Sequence, residues 1–178
     1  MTILETPRLL LRAQTLEDTD ALARILSDPE TMRYYRAPYD RAGVEQWIER
    51  SRQRYKNDGV GLWAMILKST NELIGDCGIT RQEVNGEYFY EIGYHLRRDY
   101  WGQGLATEAA IACREWGFRH LKTDRLISII RPENLPSRRV AERNGMTIWR
   151  EVEWRGFRHY LYSVERPDVL PDLRQSVR

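Results

Sequence analysis

The segment Asp99-Tyr100-Trp101-Gly102-Gln103-Gly104-Leu105-Ala106-Thr107-Glu108-Ala109 joins an apolar strand-like run to an alanine-rich helical pattern through two glycines. Such a turn points several unpaired N–H groups, and the positive end of the helix dipole, at one spot. That arrangement suits a phosphate or pyrophosphate and implies a phosphorylated cofactor. Two better-known glycine loops do not fit. A dinucleotide fingerprint needs a third glycine three residues after the second, where this chain has Thr107. A nucleotide P-loop needs Gly-Lys and then Ser or Thr, whereas Gly104 is followed by Leu105. Standing alone, Gly-x-Gly also fits a tight turn that only folds a helix back onto a sheet.

The chain of 178 residues has the length of one domain with a sizeable core. Lys and Arg (28) exceed Asp and Glu (26) by two, so the overall field favours neither nucleic acid nor an anionic membrane. Cys77 and Cys113 lack C-x-x-C spacing and read as small core residues in a reducing cytosol. No signal peptide or membrane-spanning run is legible, and the expectation is a cytoplasmic protein with no metal, no nucleic acid and no membrane partner.

Residues 8–12 read as a strand, and Thr15 caps an amphipathic helix that ends before Pro29. Asp40 opens a second helix, stopped by Asn57-Asp58-Gly59. Strands over 61–67, 72–80 and 88–96 follow, the last two joined at Asn85-Gly86. A helix over about 105–121 and a strand at 126–130 complete a β-α-β unit. Pro136 starts a last helix that Gly145 stops, and a hairpin turns at Arg155-Gly156. The expected fold is α/β (α+β), a mixed, mostly antiparallel seven-stranded sheet with about four helices. Residues 1–166 form the domain and 167–178 a C-terminal tail.

The order of four motifs resembles the GNAT (GCN5-related N-acetyltransferase) superfamily over nearly the whole chain. They are residues 5–12 (ETPRLLLR), 91–96 (EIGYHL), the glycine loop 100–109 and residues 134–146 (NLPSRRVAERNGM). Together they resemble the RimJ/RimL-like branch that acetylates ribosomal-protein N-termini. The resemblance implies acetyl-CoA as acetyl donor, with its pyrophosphate on the amides of Trp101, Gly102, Gln103, Gly104, Leu105, Ala106 and Thr107. Its pantetheine arm would run along Tyr94, His95 and Leu96. The superfamily usually has Gln or Arg three residues before the first glycine, and this chain has Asp99, so Arg97 and Arg98 are expected to supply charge while Asp99 points away.

Acetyl transfer needs a neutral amine, donors for the developing oxyanion and a proton for the departing thiolate. The resemblance places the oxyanion on the backbone N–H of Tyr94 or His95, with Gly93 as a bulge residue. Glu91 matches the general base of some members, and His95, further along that strand face, is the next candidate; a solvated or ion-paired strand carboxylate is the alternative for Glu91. The tyrosine that much of the superfamily carries seven residues after the asparagine is replaced by Ala141. Ser137, three residues after Asn134, takes the donor role by resemblance, and Asn134 would hold the pantetheine amides. Either could instead be a helix-start residue. Arg138, with Arg139 and Arg143, could clamp the ribose phosphate or form a solvated basic face. Acceptor contacts are expected among Tyr34, Tyr35, Tyr39, Trp47, Trp149, Trp154 and Phe157. The acceptor is a primary amine of a protein N-terminus or of a small molecule, and the protein a monomer or homodimer. A non-catalytic CoA-binding module is the alternative.

Overall fold

Alternating apolar side chains along eight segments build one mixed sheet in the computed structural model, which describes residues 2–167. The strands are β1 (Thr2–Glu5), β2 (Leu9–Arg12), β3 (Leu62–Leu67), β4 (Glu72–Val84), β5 (Glu87–Leu96), β6 (Arg125–Ile130), β7 (Thr147–Trp154) and β8 (Phe157–Glu165). The helices are α1 (Thr19–Leu26), α2 (Arg41–Asn57), α3 (Leu105–His120) and α4 (Leu135–Arg143). The spatial strand order is β1-β2-β3-β4-β5-β6-β8-β7. Every pairing is antiparallel except β5 with β6. The sequence led us to expect seven strands. The eighth is β1, a four-residue edge strand set off only by the Thr6-Pro7 turn, too short for its alternation to be legible. The expected tail lies, beyond Pro167, outside the described residues.

Local chemistry sets the element ends. Asp40 caps α2 by accepting from Gly43 N–H at 2.8 Å. Asn85 and Gly86 (φ +51° and +82°) make the β4–β5 turn, and Arg155 and Gly156 (φ +52° and +80°) make the β7–β8 turn. The helix after Thr15 starts as a short 3₁₀ turn, Leu16–Asp18, with Thr15 N–H on Asp18 Oδ2 at 2.8 Å, and α1 begins only at Thr19.

Helices cover both sheet faces. On one face α3 packs Leu105, Ala109, Ala110 and Cys113 against Ile74, Cys77, Ile79, Ile92 and Leu96. On the other, Leu22, Ile25, Val44 and Ile48 from α1 and α2 close over Ala64, Ile66 and Leu73. Cys77 and Cys113, 36 residues apart, meet in the first core with sulfurs 3.5 Å apart and remain free thiols.

The first motif explains itself as a clamp on α3. Thr6 Oγ1 and Arg8 N–H donate to Glu108 Oε1 at 2.6 and 3.0 Å, and Arg8 Nε donates to Oε2 at 2.6 Å. Arg8 Nη1 also holds Gln103 O at 2.9 Å, so residues a hundred positions apart fix the glycine loop. Burial works against ionisation of Glu108, but these donors outweigh it and bring its pKa below the ordinary value. Glu108→Gln is therefore expected to lower stability by about 1–2 kcal/mol near neutral pH, the Arg8 share being reduced by its exposure. With the native pKa depressed, the stabilisation is present above the ordinary glutamate range and is lost as pH falls through it. Thermal unfolding of both proteins from about pH 7 to about pH 3 checks this: the difference in Tm should shrink steadily and vanish at the acid end.

Candidate active site

β5 and β6 pair at only two positions, Tyr90 with Leu126 and Glu91 with Ile127. Beyond them β6 stays with β8 as far as Ile130 opposite Tyr160, while β5 stays with β4 as far as Leu96 opposite Gly75. The two central strands therefore part, and Ser128 Oγ, donating to Ile92 O at 2.7 Å, marks the apex of the gap.

Backbone alternation decides which groups line it. Arg97 N–H donates to Ile74 O on β4, so odd-numbered residues of β5 turn their main-chain groups toward β4. Even-numbered ones face the gap, as Ile92 O does on Ser128 and as Leu96 O does in accepting from Trp101 Nε1 at 2.7 Å. Tyr94 N–H and C=O thus open into the cleft, whereas His95 N–H points to β4. Of the two amides expected for the oxyanion, Tyr94 N–H is the one on the open side of β5. The register against β4 runs unbroken through Gly93, so the expected bulge is absent; parting from β6 does what a bulge was expected to do.

The glycine loop sits at the open end. Gly102 and Gly104 have φ of +75° and +76°, and Gly104 precedes α3. Trp101 N–H is taken by Arg98 O at 3.1 Å, and the first bond into α3 runs from Glu108 N–H to Gly104 O. Among the described residues the amides of Gly102, Gln103, Gly104, Leu105, Ala106 and Thr107 have no protein partner, so the donor run begins one residue later than expected. Six consecutive free donors at a helix start fit a diphosphate. Arg97 is committed elsewhere, to Tyr100 Oη at 3.2 Å and in ion pairs with Asp99 and Glu72. Asp99 is exposed, with Oδ2 3.3 Å from Arg97 Nε.

Across the cleft, Asn134 caps α4, its Oδ1 accepting from Ser137 N–H at 3.2 Å. Ser137 Oγ donates to Tyr94 Oη at 3.3 Å, and Tyr94 Oη donates to Ser137 O at 2.8 Å, so the two candidate residues touch. Burial keeps the Tyr94 phenol well above its usual pKa, hence protonated. Arg138 is turned away from the cleft: Nε holds Tyr162 Oη at 2.9 Å and Nη1 holds Pro132 O at 3.0 Å, fastening α4 to β8.

The α1/α2 face of β5 carries a polar stripe. Thr80 pairs with Glu91 and Asp76 with His95 across the ladder, with Gly78 and Gly93 between them. Glu91 Oε2 accepts from Gln82 Nε2 at 2.8 Å and from Thr80 Oγ1 at 3.3 Å, with no ion-pair partner among the described residues. Burial raises its pKa, and the hydrogen bonds from Gln82, the Ile129 amide and Thr80 only partly oppose this. His95 bonds Asp76 and Tyr35, and Asp76 also accepts from Trp47 and Gln14. Of the expected aromatic group, Tyr35 and Trp47 therefore reach the stripe. Trp149 lies against Phe89, and Trp154 against His159. Asp76 and Gln14 were missed, although a lone carboxylate inside the apolar run Leu73-Ile74-Gly75-Asp76-Cys77 was a usable signal. The Cys77 thiol, pushed well above its usual pKa by burial, has no path to a thiolate nucleophile.

The acetyltransferase (GNAT) domain family matches residues 8–147, and the chain belongs to that family. It is 38% identical over 146 residues to an uncharacterized Bacillus subtilis protein, YkkB, covering 82% of this chain and 85% of that one. It is 36% identical over 140 residues to the uncharacterized N-acetyltransferase p20 of Bacillus licheniformis, covering 77% and 78%. A solved GNAT-family acetyltransferase from Bacillus anthracis is 30% identical with a TM-score of 0.76, over 93% of this chain and 98% of that one. The protein is thus an N-acetyltransferase of the GNAT fold, with the eight-stranded sheet described above.

Because the native pKa of Glu91 is raised, its ionised form opposes folding. That penalty is absent below the ordinary glutamate pKa and grows as pH rises through the native value. Glu91→Gln keeps an acceptor for Gln82 and removes the charge. Its Tm is expected to equal that of the wild type at about pH 3 and to exceed it by about pH 8, a comparison read directly by calorimetry.

Proposed function

We propose that the protein transfers the acetyl group of acetyl-CoA directly to a primary amine, the N-terminal amine of a protein and, within that class, of a ribosomal protein. The observation that carries the chemistry is the cleft between β5 and β6, lined by the free Tyr94 amide and closed at one end by six unpaired amides. The acceptor assignment rests on the four motifs that resemble the ribosomal-protein branch. Proteins of this fold serve both acceptor classes. RimL, a ribosomal L7/L12 alpha-N-protein acetyltransferase, and the aminoglycoside acetyltransferase AAC(6')-Ib are each solved with coenzyme A, and each is 19% identical to this chain.

Acetyl-CoA, when bound, supplies a thioester carbonyl and a thiolate leaving group. The amides from Gly102 to Thr107 hold its diphosphate. Tyr94 N–H faces the carbonyl and stabilises the charge that develops on it. Glu91, whose raised pKa suits a base, takes the first proton from the acceptor ammonium directly or through water. Ser137 gives its hydroxyl proton to the sulfur and recovers one from solvent as products leave; Tyr94 Oη, which accepts from Ser137 Oγ, holds that hydroxyl in place. Asn134 fixes the first turn of α4, which positions Ser137.

Mass spectrometry of a mixed library of peptides and small amines incubated with protein and acetyl-CoA tests the reading. Acetylated peptide N-termini are the expected product; acetylation confined to polyamines, amino acids or aminoglycosides overturns the acceptor assignment, and no amine-dependent thiol release overturns the transfer itself. Ser137→Ala is expected to lower kcat by roughly 10- to 100-fold with little change in KM for acetyl-CoA. Gly104→Ala forces a side chain into left-handed backbone and is expected to weaken CoA binding by about tenfold, measured by calorimetry.

A further inference from the structure

The polar stripe holds one arrangement that the steps above leave unused. Asp76 is fully buried, and no lysine or arginine pairs with it among the described residues. Its Oδ2 accepts from Trp47 Nε1 at 2.8 Å and Gln14 Nε2 at 3.2 Å, and its Oδ1 accepts from His95 Nδ1 at 2.7 Å. A carboxylate surrounded by N–H donors places the His95 proton on Nδ1 and leaves Nε2 as an acceptor. Tyr35 Oη lies 2.6 Å from that Nε2 and donates to it. The bonds Tyr35 to His95 to Asp76 therefore all run one way, ending on a buried carboxylate.

The open end of this chain is the Tyr35 oxygen. His95 is its one hydrogen-bond partner among the described residues, and Tyr35 lies on the connection between α1 and α2, with 43% of its surface exposed. Its hydroxyl turns inward onto His95, and burial, then the charges of Glu91 and Asp76, keep the phenol protonated. The Tyr35 hydroxyl thus lies against His95 on the sheet face that also carries Glu91 and Asp76, opposite α3. Trp47 meets the His95 ring edge-on at 5.1 Å and fixes its plane.

Proton balance supplies the need. An acceptor ammonium loses two protons on its way to an amide: one before nitrogen attacks, the other once the C–N bond has formed. Glu91 accounts for the first. We propose that Tyr35, His95 and Asp76 are a proton relay for the second: Tyr35 Oη takes it from the acceptor nitrogen while passing its own proton to His95 Nε2, and Asp76 stabilises the resulting imidazolium. The C–N bond forms as the C–S bond breaks, the electron pair leaves on sulfur, and Ser137 protonates it. Glu91 and His95 each release a proton as product leaves, His95 through the exposed Tyr35, and Ser137 takes one up, so that one proton in total passes to solvent. Tyr35 touches the acceptor and is the catalytic residue; His95 and Asp76 act through it. The relay rests on the acetyl-transfer reading above.

The titratable groups that contact His95 are Asp76 on β4 and Tyr35 on the α1–α2 connection, and Glu91 lies four residues away on the same face of β5. The test is the pH profile of kcat for wild type, Tyr35→Phe and His95→Gln, using a weakly basic amine whose own titration falls outside the range. Both variants are expected to lose at least about 30-fold in kcat with KM for acetyl-CoA within about threefold, and His95→Gln to lose the acidic limb. Glutamine can keep the contacts of a merely structural histidine, so a His95→Gln protein that retains kcat and the limb overturns the relay. Tyr35→Phe, which removes one oxygen from an exposed residue, covers a folding failure of His95→Gln; wild-type kcat in it overturns the relay as well. Nitrogen NMR of the resting protein reads the tautomer without turnover: an Nδ1–H signal for His95 is expected, and an Nε2–H one overturns the relay. A wild type that releases no amine-dependent thiol counts against acetyl transfer, and the NMR result still decides the relay.

Discussion

The parting of β5 from β6 after Glu91 and Ile127 is the constraint on which the site depends. A fully paired sheet spends its main-chain donors and acceptors on neighbouring strands and has none to offer a ligand. Here β6 keeps its bonds to β8 and β5 keeps its bonds to β4, so the sheet holds together on both sides of the gap. The Tyr94 amide becomes free without an exposed edge, because α3 and α4 flank the opening. Ser128 on Ile92 O at the apex limits how far the strands close.

The two-residue period of β5 then sorts the chemistry. Even positions put their main-chain groups into the gap and their side chains toward α3, where Ile92 and Leu96 join an apolar core. Odd positions present Glu91 and His95 to the α1/α2 face. One strand thus carries apolar packing on its α3 face and a carboxylate and an imidazole on the other, with free main-chain groups at its parted edge. The Thr6 and Arg8 clamp on Glu108 and Gln103 ties the glycine loop and the start of α3 to the β2 end of the sheet.

Much of this was legible in the sequence because it is local. The Gly102/Gly104 turn, the Asp40 cap, the Asn85-Gly86 hairpin and the β-α-β order each follow from residues within a few positions of one another. Ser137 and Tyr94 were named by motif, and the structure brings them into contact. What the sequence hid depends on distant partners. Arg97 and Arg138 read as phosphate ligands because the pattern shows charge and not the acceptors that claim it, Asp99, Glu72 and Tyr100 for one, Tyr162 and Pro132 for the other. β1 was too short for alternation to register, and Gly93 was assigned a bulge that the splay made unnecessary.

Asp76 and Glu91 also state what the sheet has given up in stability. Both are carboxylates on a face otherwise closed by apolar helices, and neither pairs with a lysine or arginine among the described residues. Removing a charge from water costs several kcal/mol unless hydrogen bonds replace the lost solvation. The replacement differs between the two. Asp76 has three N–H donors and touches no solvent, whereas Glu91, with donors from Gln82, Thr80 and the Ile129 amide, still has its pKa raised by burial. An apolar pair at either position would pack with less opposition, as the opposite face of the same two strands does with Cys77, Ile79 and Ile92. Two carboxylates in different environments, half-buried Glu91 without an ion-pair partner among the described residues and buried Asp76 tied to an imidazole, suit a reaction that removes two protons from one nitrogen.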